Sequence, residues 1–154
     1  MHKLLILSLS LFAFLACTPR QAVAQDSVPA AVEQRFASLH PTAKKVAWET
    51  EANGYEAEYK LNGKEYSDTY STSGELLETE QEIKKSQLPA TVLATLKRDF
   101  AGYEIEEAAR ITYSDGRTVY ETELEGEDEM AFDALFLEDG TFVERVALDE
   151  KDED

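Results

Sequence analysis

The sequence predicts an α+β fold made of two tandem α-β4 repeats, with an antiparallel sheet and helices packed on one face. Segments that alternate apolar and charged residues are separated by glycine-containing turns, as in antiparallel strands. Two segments with apolar residues at helical spacing begin at Pro29 and Pro89, an acceptable position for proline in a first turn. Residues 88–100 match residues 28–40 at an offset of 60, and each half contains three glycines in predicted turns. The repeat therefore defines the expected architecture.

Residues 1–24 have the features of a secretory signal peptide. Lys3 precedes an apolar run, 4–16, that is too short for a usual membrane-spanning helix, and the segment ends in Ala22-Val23-Ala24. Cleavage after Ala24 would leave a periplasmic or secreted chain without a transmembrane segment. The sequence Phe14-Leu15-Ala16-Cys17 permits a second interpretation, a bacterial lipoprotein anchored through Cys17.

The remaining chain divides into a first repeat (25–87), a second repeat (88–148) and an acidic tail (149–154). The signal segment contains two basic residues and no acid, so the exported chain keeps 13 basic against 32 acidic residues. Such an excess of negative charge argues against nucleic acid or an anionic membrane as a partner. It favours solubility, or else attraction of a basic partner or of loosely held cations.

Two Asn-Gly pairs, Asn53-Gly54 and Asn62-Gly63, predict type I′ hairpins in the first repeat. The aromatic residues of this meander then share one face, where they form a core with the first helix, and the charged residues occupy the other. The predicted cross-strand pairs are Val46–Leu61, Trp48–Tyr59, Ala52–Tyr55, Tyr55–Tyr70 and Tyr59–Tyr66.

The second repeat has corresponding turns at Asp115-Gly116 and Asp139-Gly140. Its predicted pairs are Ile111–Tyr120, Thr112–Val119, Ala131–Ala147, Asp133–Arg145, Leu135–Val143 and Phe136–Phe142. The residues expected on the core face are Met130, Phe132, Phe136, Phe142 and Val146.

The opposite face of the second repeat carries apolar residues where the first repeat is almost entirely polar. A contiguous exposed apolar row typically marks an interface, although the lead-in segment, a connecting loop or the other sheet could cover it. We interpret the row and its charged rim as a protein-binding patch. The row is Val119, Leu135, Leu137 and Val143, and the rim is Arg117, Glu121, Glu123 and Arg145.

Several motifs resemble the PepSY-like family of exported, beta-lactamase-inhibitor-like bacterial proteins. They are Leu-Pro-Ala-Thr-Val at 88–92, Val-Ala-Trp-Glu at 46–49, Gly-Tyr-Glu-Ala-Glu-Tyr at 54–59 and Asp-Gly at 139–140, and the resemblance covers about residues 28–148. It implies a fold like the beta-lactamase inhibitor protein, in which the face without helices meets the partner. It also implies non-catalytic binding or inhibition in the periplasm, but no inhibitory loop motif is matched.

The inventory of reactive residues does not indicate an enzyme, a metal site or a cofactor. The exported chain has one histidine, His40, which precedes Pro41 at a helix end and is expected to be a cap or surface residue. The acid-rich segments 125–129 and 149–154 lack the spacing of a calcium loop. We therefore predict a non-enzymatic exported module that binds another envelope or secreted protein, with inhibition of an enzyme as one form. The alternative is an acidic cation-binding or stress-buffering envelope protein.

Overall fold

The computed structural model describes residues 28–52, 54–126 and 131–147. The predicted signal peptide, the acidic tail and Met130 lie outside these residues. Each repeat contains one helix and four strands, and a short 3₁₀ turn, Lys85–Gln87, precedes the second helix. In chain order the elements are α1 (Ala30–Leu39), β1 (Lys44–Glu51), β2 (Gly54–Leu61), β3 (Lys64–Ser71), β4 (Leu76–Glu82), α2 (Ala90–Asp99), β5 (Tyr103–Tyr113), β6 (Thr118–Gly126), β7 (Ala131–Leu137) and β8 (Phe142–Ala147).

The eight strands form a single antiparallel sheet in sequence order, so the predicted fold class is confirmed. Strand β4 pairs with β5, which continues the sheet from the first repeat into the second. Both helices lie on the same side of it, because directly paired residues share a face. One such row crosses six strands, β2 to β7, through Tyr59, Tyr66, Gln81, Arg110, Tyr120 and Phe136.

This row shows which face the helices cover. The Tyr59 ring lies 5.1 Å from the Phe36 ring of α1, measured between centroids. At the other end of the row, Phe136 packs in one cluster with Val92 and Leu96 of α2. We call the covered surface the helix side and the opposite surface the helix-free face.

Each helix has its own core on the helix side. Val32 and Phe36 of α1 pack against the predicted aromatic row, in which Tyr59 and Tyr70 are buried. Trp48, Tyr55 and Tyr66 are partly buried around them, which confirms their assignment to the core. Leu39 ends the helix and is 37% exposed.

The β2–β3 hairpin has the predicted register, because both of its loop residues adopt positive φ. Asn62 and Gly63 have φ of 53° and 79°, and Tyr59–Tyr66 and Tyr55–Tyr70 pair as predicted. The predicted β1–β2 register is wrong by two residues: Trp48 pairs with Ala57 rather than with Tyr59, and Tyr55 pairs with Thr50 rather than with Ala52.

Gly54 is the first residue of β2 rather than a turn residue. The backbone of β3 passes so close to it that only glycine fits. A Cβ at Gly54 would lie 1.8 Å from the Tyr70 carbonyl oxygen. A shift of two residues preserves the face of each side chain, so Trp48 still contacts Phe36. The predicted Val46–Leu61 pair is also absent, because the register shifts between Lys44 and Ala47 and leaves Val46 40% exposed.

Candidate binding face of the sheet

Two irregularities in the second repeat decide which side chains lie on the helix-free face. The β5–β6 turn has three residues, 114–116, because the Tyr113 amide donates to the Arg117 carbonyl and Gly116 has φ of 86°. Ile111 therefore pairs with Val119 rather than with Tyr120, so the predicted Ile111–Tyr120 pair is wrong and Ile111 lies on the helix-free face. One residue more in the turn inverts the face of every residue in the strand.

The second irregularity is a bulge in β8. Phe136 pairs with Phe142 as predicted, but Leu135 pairs with Glu144, so Val143 is the extra residue. Asp133 consequently pairs with Val146 rather than with Arg145.

The bulge exchanges two predicted positions. Val146 was expected in the core but lies on the helix-free face, opposite Asp133. Arg145 was expected on the rim of the patch, but its guanidinium lies on the helix side, 3.6 Å from the centroid of the Phe132 ring.

The predicted apolar row is partly buried and partly exposed. Val119 and Leu135 are only 4% and 6% exposed, because Ile111 packs with them in a small cluster on the helix-free face. Leu137 and Val143 are 41% and 46% exposed. Together with Val146, at 43%, they form what we call the exposed apolar trio.

Arg117 lies at one end of this face and is engaged locally. Its Nε donates to the Asp115 carboxylate at 2.7 Å, and its guanidinium lies 4.6 Å from the centroid of the Tyr113 ring. Both contacts follow from the three-residue turn, which brings the side chains before and after Gly116 together.

Carboxylates occupy the centre of the helix-free face. Glu80 is opposite Ile111, Glu121 is opposite Leu135, and Glu123 is opposite Asp133. The buried Ile111–Val119–Leu135 cluster therefore lies among acidic side chains. We call Glu80, Glu121, Glu123 and Asp133 the acidic cluster.

Burial, and then repulsion from neighbouring acids, raises the pKa of every member of the acidic cluster. The pKa reaches about 8 for Glu121, about 7 for Glu80 and Glu123, and about 6 for Asp133. The charges that act on these four groups are all carboxylates. A carboxyl group that is desolvated among like charges keeps its proton to higher pH.

Glu123 is the least exposed residue of the cluster. Only 5% of the residue is exposed, and neither of its side-chain oxygens is both buried and without a hydrogen-bond partner. Among residues 28–52, 54–126 and 131–147, no group of three or more possible ligands is placed to hold a metal ion.

A second polar constellation, centred on Asp68, lies on the helix side of the first repeat. Asp68 is fully buried, and its carboxylate accepts hydrogen bonds from the hydroxyls of Tyr59 (3.1 Å), Tyr70 (2.7 Å) and Thr79 (2.7 Å). His40 caps the C-terminus of α1 as expected, and its Nε2 lies 2.7 Å from Asp68 Oδ2.

The effect of this network on its tyrosines is electrostatic. Burial first, and then the Asp68 carboxylate, raises the pKa of both tyrosine hydroxyls. Sequence reasoning did not identify Asp68, although a signal was present. Asp68 lies between Tyr66 and Tyr70 at strand spacing, so it is an acid on a face that is otherwise aromatic.

One apolar cavity of about 350 Å³ lies on the helix side, between α2 and the start of β5. Leu93, Phe100 and Tyr103 are among its lining residues. The members of the acidic cluster and of the Asp68 network are not among them.

Comparisons with known proteins agree with this architecture. The model of the family described as "Putative beta-lactamase-inhibitor-like, PepSY-like" matches the chain twice, over residues 17–77 and 62–137. No curated protein matches the chain. No helix in the described part of the chain is long and apolar enough to cross a membrane.

Solved structures from Bacteroides share the fold at low sequence identity. A structure from Bacteroides eggerthii, described as that of a "putative periplasmic" protein, is 16% identical. The match has a TM-score of 0.72 and covers 79% of this chain and 89% of that one. A DUF2874 family protein from Bacteroides ovatus is 15% identical, with a TM-score of 0.72 over 83% and 93%. A BLIP-like protein from Bacteroides fragilis is 20% identical, with a TM-score of 0.66 over 83% and 92%.

The two family matches together extend from residue 17 to residue 137, which is well over half of the chain, and they overlap over residues 62–77. The chain therefore belongs to the PepSY-like, beta-lactamase-inhibitor-like family.

Proposed function

We propose that this protein is a non-enzymatic, exported module that binds another envelope or secreted protein through the helix-free face of its second repeat. Inhibition of an enzyme is one form that such binding takes. The observation that carries the proposal is the exposed apolar trio, Leu137, Val143 and Val146, on strands β7 and β8. These side chains are 41–46% exposed; Leu137 is directly opposite Val119 of the buried cluster, and Val146 is directly opposite Asp133.

Two further observations support an interface. Exposed aliphatic side chains grouped on one surface lose unfavourable contact with water when a partner covers them. The adjoining acidic cluster supplies charge that can orient a partner on the same surface. Two of the similar structures are described as a periplasmic protein and a BLIP-like protein, which supports an exported, non-catalytic role.

The test is a crosslinking pull-down of the tagged protein from the cell envelope. The variant replaces the trio with serine, Leu137→Ser/Val143→Ser/Val146→Ser, which removes apolar surface without changing charge. Leu135 and Val119 are left intact because a polar group at these buried positions would destabilise the sheet. We expect one captured protein to be recovered at least about tenfold less with this variant.

A matched control replaces three exposed apolar residues elsewhere, Leu39→Ser/Val46→Ser/Leu93→Ser. Their exposure, 37–40%, is similar, and Val46 lies on an edge strand as the β8 valines do. The control variant should keep the captured protein. Equal recovery with both variants, or no specific capture by the native protein, would contradict the proposal.

A further inference from the structure

We propose that the helix-free face recognises a protein segment in which lysine or arginine side chains are interspersed with apolar ones, and that these cations displace protons from the acidic cluster as they bind. This inference rests on the proposed function and specifies the chemistry of the partner. It also adds a consequence that simple apolar docking would not have, namely release of protons on binding.

The first argument is that the second half of the sheet directs its own cations away from this face. Strands β4 to β8 contain two basic residues, Arg110 and Arg145. Arg110 donates to Gln81 at 2.9 Å on the helix side, and Arg145 lies over the Phe132 ring, also on the helix side.

Two cations at the margins of the helix-free face already have partners. Arg117, in the β5–β6 turn, pairs with Asp115. Lys60, on β2, pairs with Glu65. The charge of the acidic cluster is therefore not offset by the ion pairs that the structure contains.

The second argument is the enclosure of Glu123. Its carboxylate faces Asp133 across the β6–β7 pair, and the residue is 95% buried by its own strand and its neighbours. Two acidic residues directly opposite each other on adjacent strands repel one another. A cation from a partner would offset this repulsion and could donate hydrogen bonds to both carboxylates.

The third argument is the protonation of the cluster. Acids from β2, β4, β5 and β6 also face the cluster. Glu144 of β8 is opposite Leu135 of β7. Strand β3 contributes the hydroxyl residues Ser67 and Thr69. The acids that raise the pKa values of the cluster from outside it are Glu56, Glu78, Glu106, Glu107 and Glu125.

With pKa values of about 6 to 8, part of the cluster holds protons near neutral pH. A bound cation favours the ionised carboxylates and so lowers these pKa values. The protons then leave as the partner binds, by linkage between the two equilibria.

The position of the exposed apolar trio defines the rest of the segment. Val146 is directly opposite Asp133, and Leu135 lies between Glu121 and Glu144 of the adjacent strands, so apolar and acidic positions alternate across these strands. A segment that mixes cationic and aliphatic side chains matches both. A nucleic acid or an anionic membrane would be repelled by the net charge of −17.

The experiment is isothermal titration calorimetry with a synthetic peptide of alternating lysine and leucine, at about pH 7, in phosphate and in Tris. The two buffers differ in ionisation enthalpy, so the difference in apparent binding enthalpy gives the number of protons released. We expect release of about one proton per complex, falling toward zero about two pH units above the highest pKa of the cluster.

The test variant is Glu80→Gln/Glu121→Gln, and its matched control is Glu33→Gln/Glu138→Gln, which changes the net charge equally at exposed sites. We expect the test variant to bind the peptide at least about tenfold more weakly and to release fewer protons than the native protein, and the control to behave as the native protein. Acetylation of the peptide lysines should abolish binding. Circular dichroism and thermal melting would establish that both variants are folded.

Absence of peptide binding, binding that survives lysine acetylation, or binding without proton release would overturn the inference. Equal proton release by calcium alone would also overturn it, because a free ion and not a protein segment would then be the occupant. The proposed function fails separately: the serine variant of the trio keeps all four carboxylates. Loss of a captured protein in that variant, without proton release by the native protein, would retain the binding module and reject only the cationic segment.

Discussion

At the residue scale, Asp68 occupies a core position that the second repeat fills with alanine. Asp68 pairs with Thr79 as Ala134 pairs with Arg145, so the two positions correspond. The network of the first repeat therefore has an apolar counterpart, and the fold itself does not require a buried acid there. Replacement of a satisfied polar network by apolar groups is often tolerated, whereas removal of one member leaves the others unsatisfied.

Asp68→Asn should lower the free energy of unfolding by about 2–3 kcal/mol, because the amide group would face hydroxyl donors in place of an acceptor oxygen. Urea denaturation measures this change. Asp99→Asn is the control, since Asp99 is exposed and pairs only with its neighbour Arg98, and it should leave stability nearly unchanged. Equal stability of the two variants would contradict the central role of Asp68.

At the element scale, the same three-residue turn occurs after β3, β5 and β7, each with its glycine at positive φ. Gly74, Gly116 and Gly140 have φ of 84–86°. A bulge follows the first and the third of these turns. It leaves Leu77 with no residue directly opposite on β3, and Val143 with none directly opposite on β7. These turns also pack against the first turn of each helix, since a Cβ would lie 3.2 Å from the Ala31 carbonyl oxygen at Gly74 and 2.6 Å from that of Thr91 at Gly140.

Gly140→Ala and Gly116→Ala separate conformational strain from this helix contact. Both glycines have nearly the same φ, but a Cβ at Gly116 would meet no atom within 4 Å. Gly116→Ala should cost about 1–2 kcal/mol from the left-handed backbone alone. Gly140→Ala should cost about 1–3 kcal/mol more, because the Cβ would press on the backbone of α2. Equal losses in chemical denaturation would mean that the contact with α2 is unimportant.

At the scale of the whole molecule, the eight-stranded sheet concentrates negative charge on the helix-free face. The folded-state pKa values of Glu80, Glu121 and Glu123 lie above the ordinary value of 4.5, so the folded protein binds more protons than the unfolded chain over this range. Their contribution to stability is complete below about pH 4.5 and is lost as pH rises through about 7 to 8. The direction is opposite to that of carboxylates held in ion pairs.

These groups should therefore make the melting temperature decrease as the pH rises from about 5 to about 8. Glu121→Gln, which mimics the protonated form, should raise the melting temperature at about pH 8 by a few degrees and reduce this slope. Glu138→Gln, at an exposed turn position, is the control. Thermal melts across this pH range provide the measurement, and a melting temperature that rises from pH 5 to pH 8 in the native protein would contradict the assignment.

The sequence by itself determined the repeat, the helices, the antiparallel order of the strands and the core positions set by local turn chemistry. Asn62-Gly63 is the clearest case, because two residues at positive φ leave one register for the hairpin. The aromatic core and the existence of an apolar surface on the second repeat follow from the same alternation.

Only the tertiary structure decided which faces Ile111, Arg145 and Val146 occupy. A third loop residue or one bulge reverses the alternation of a strand, and neither has a strong sequence signature. The environments of Asp68 and of the acidic cluster were likewise undetermined, because each combines side chains from several strands. Burial and neighbouring charge are properties of that assembly: Glu80 lies 41 residues from Glu121 in sequence, yet its charge raises the pKa of the Glu121 carboxyl.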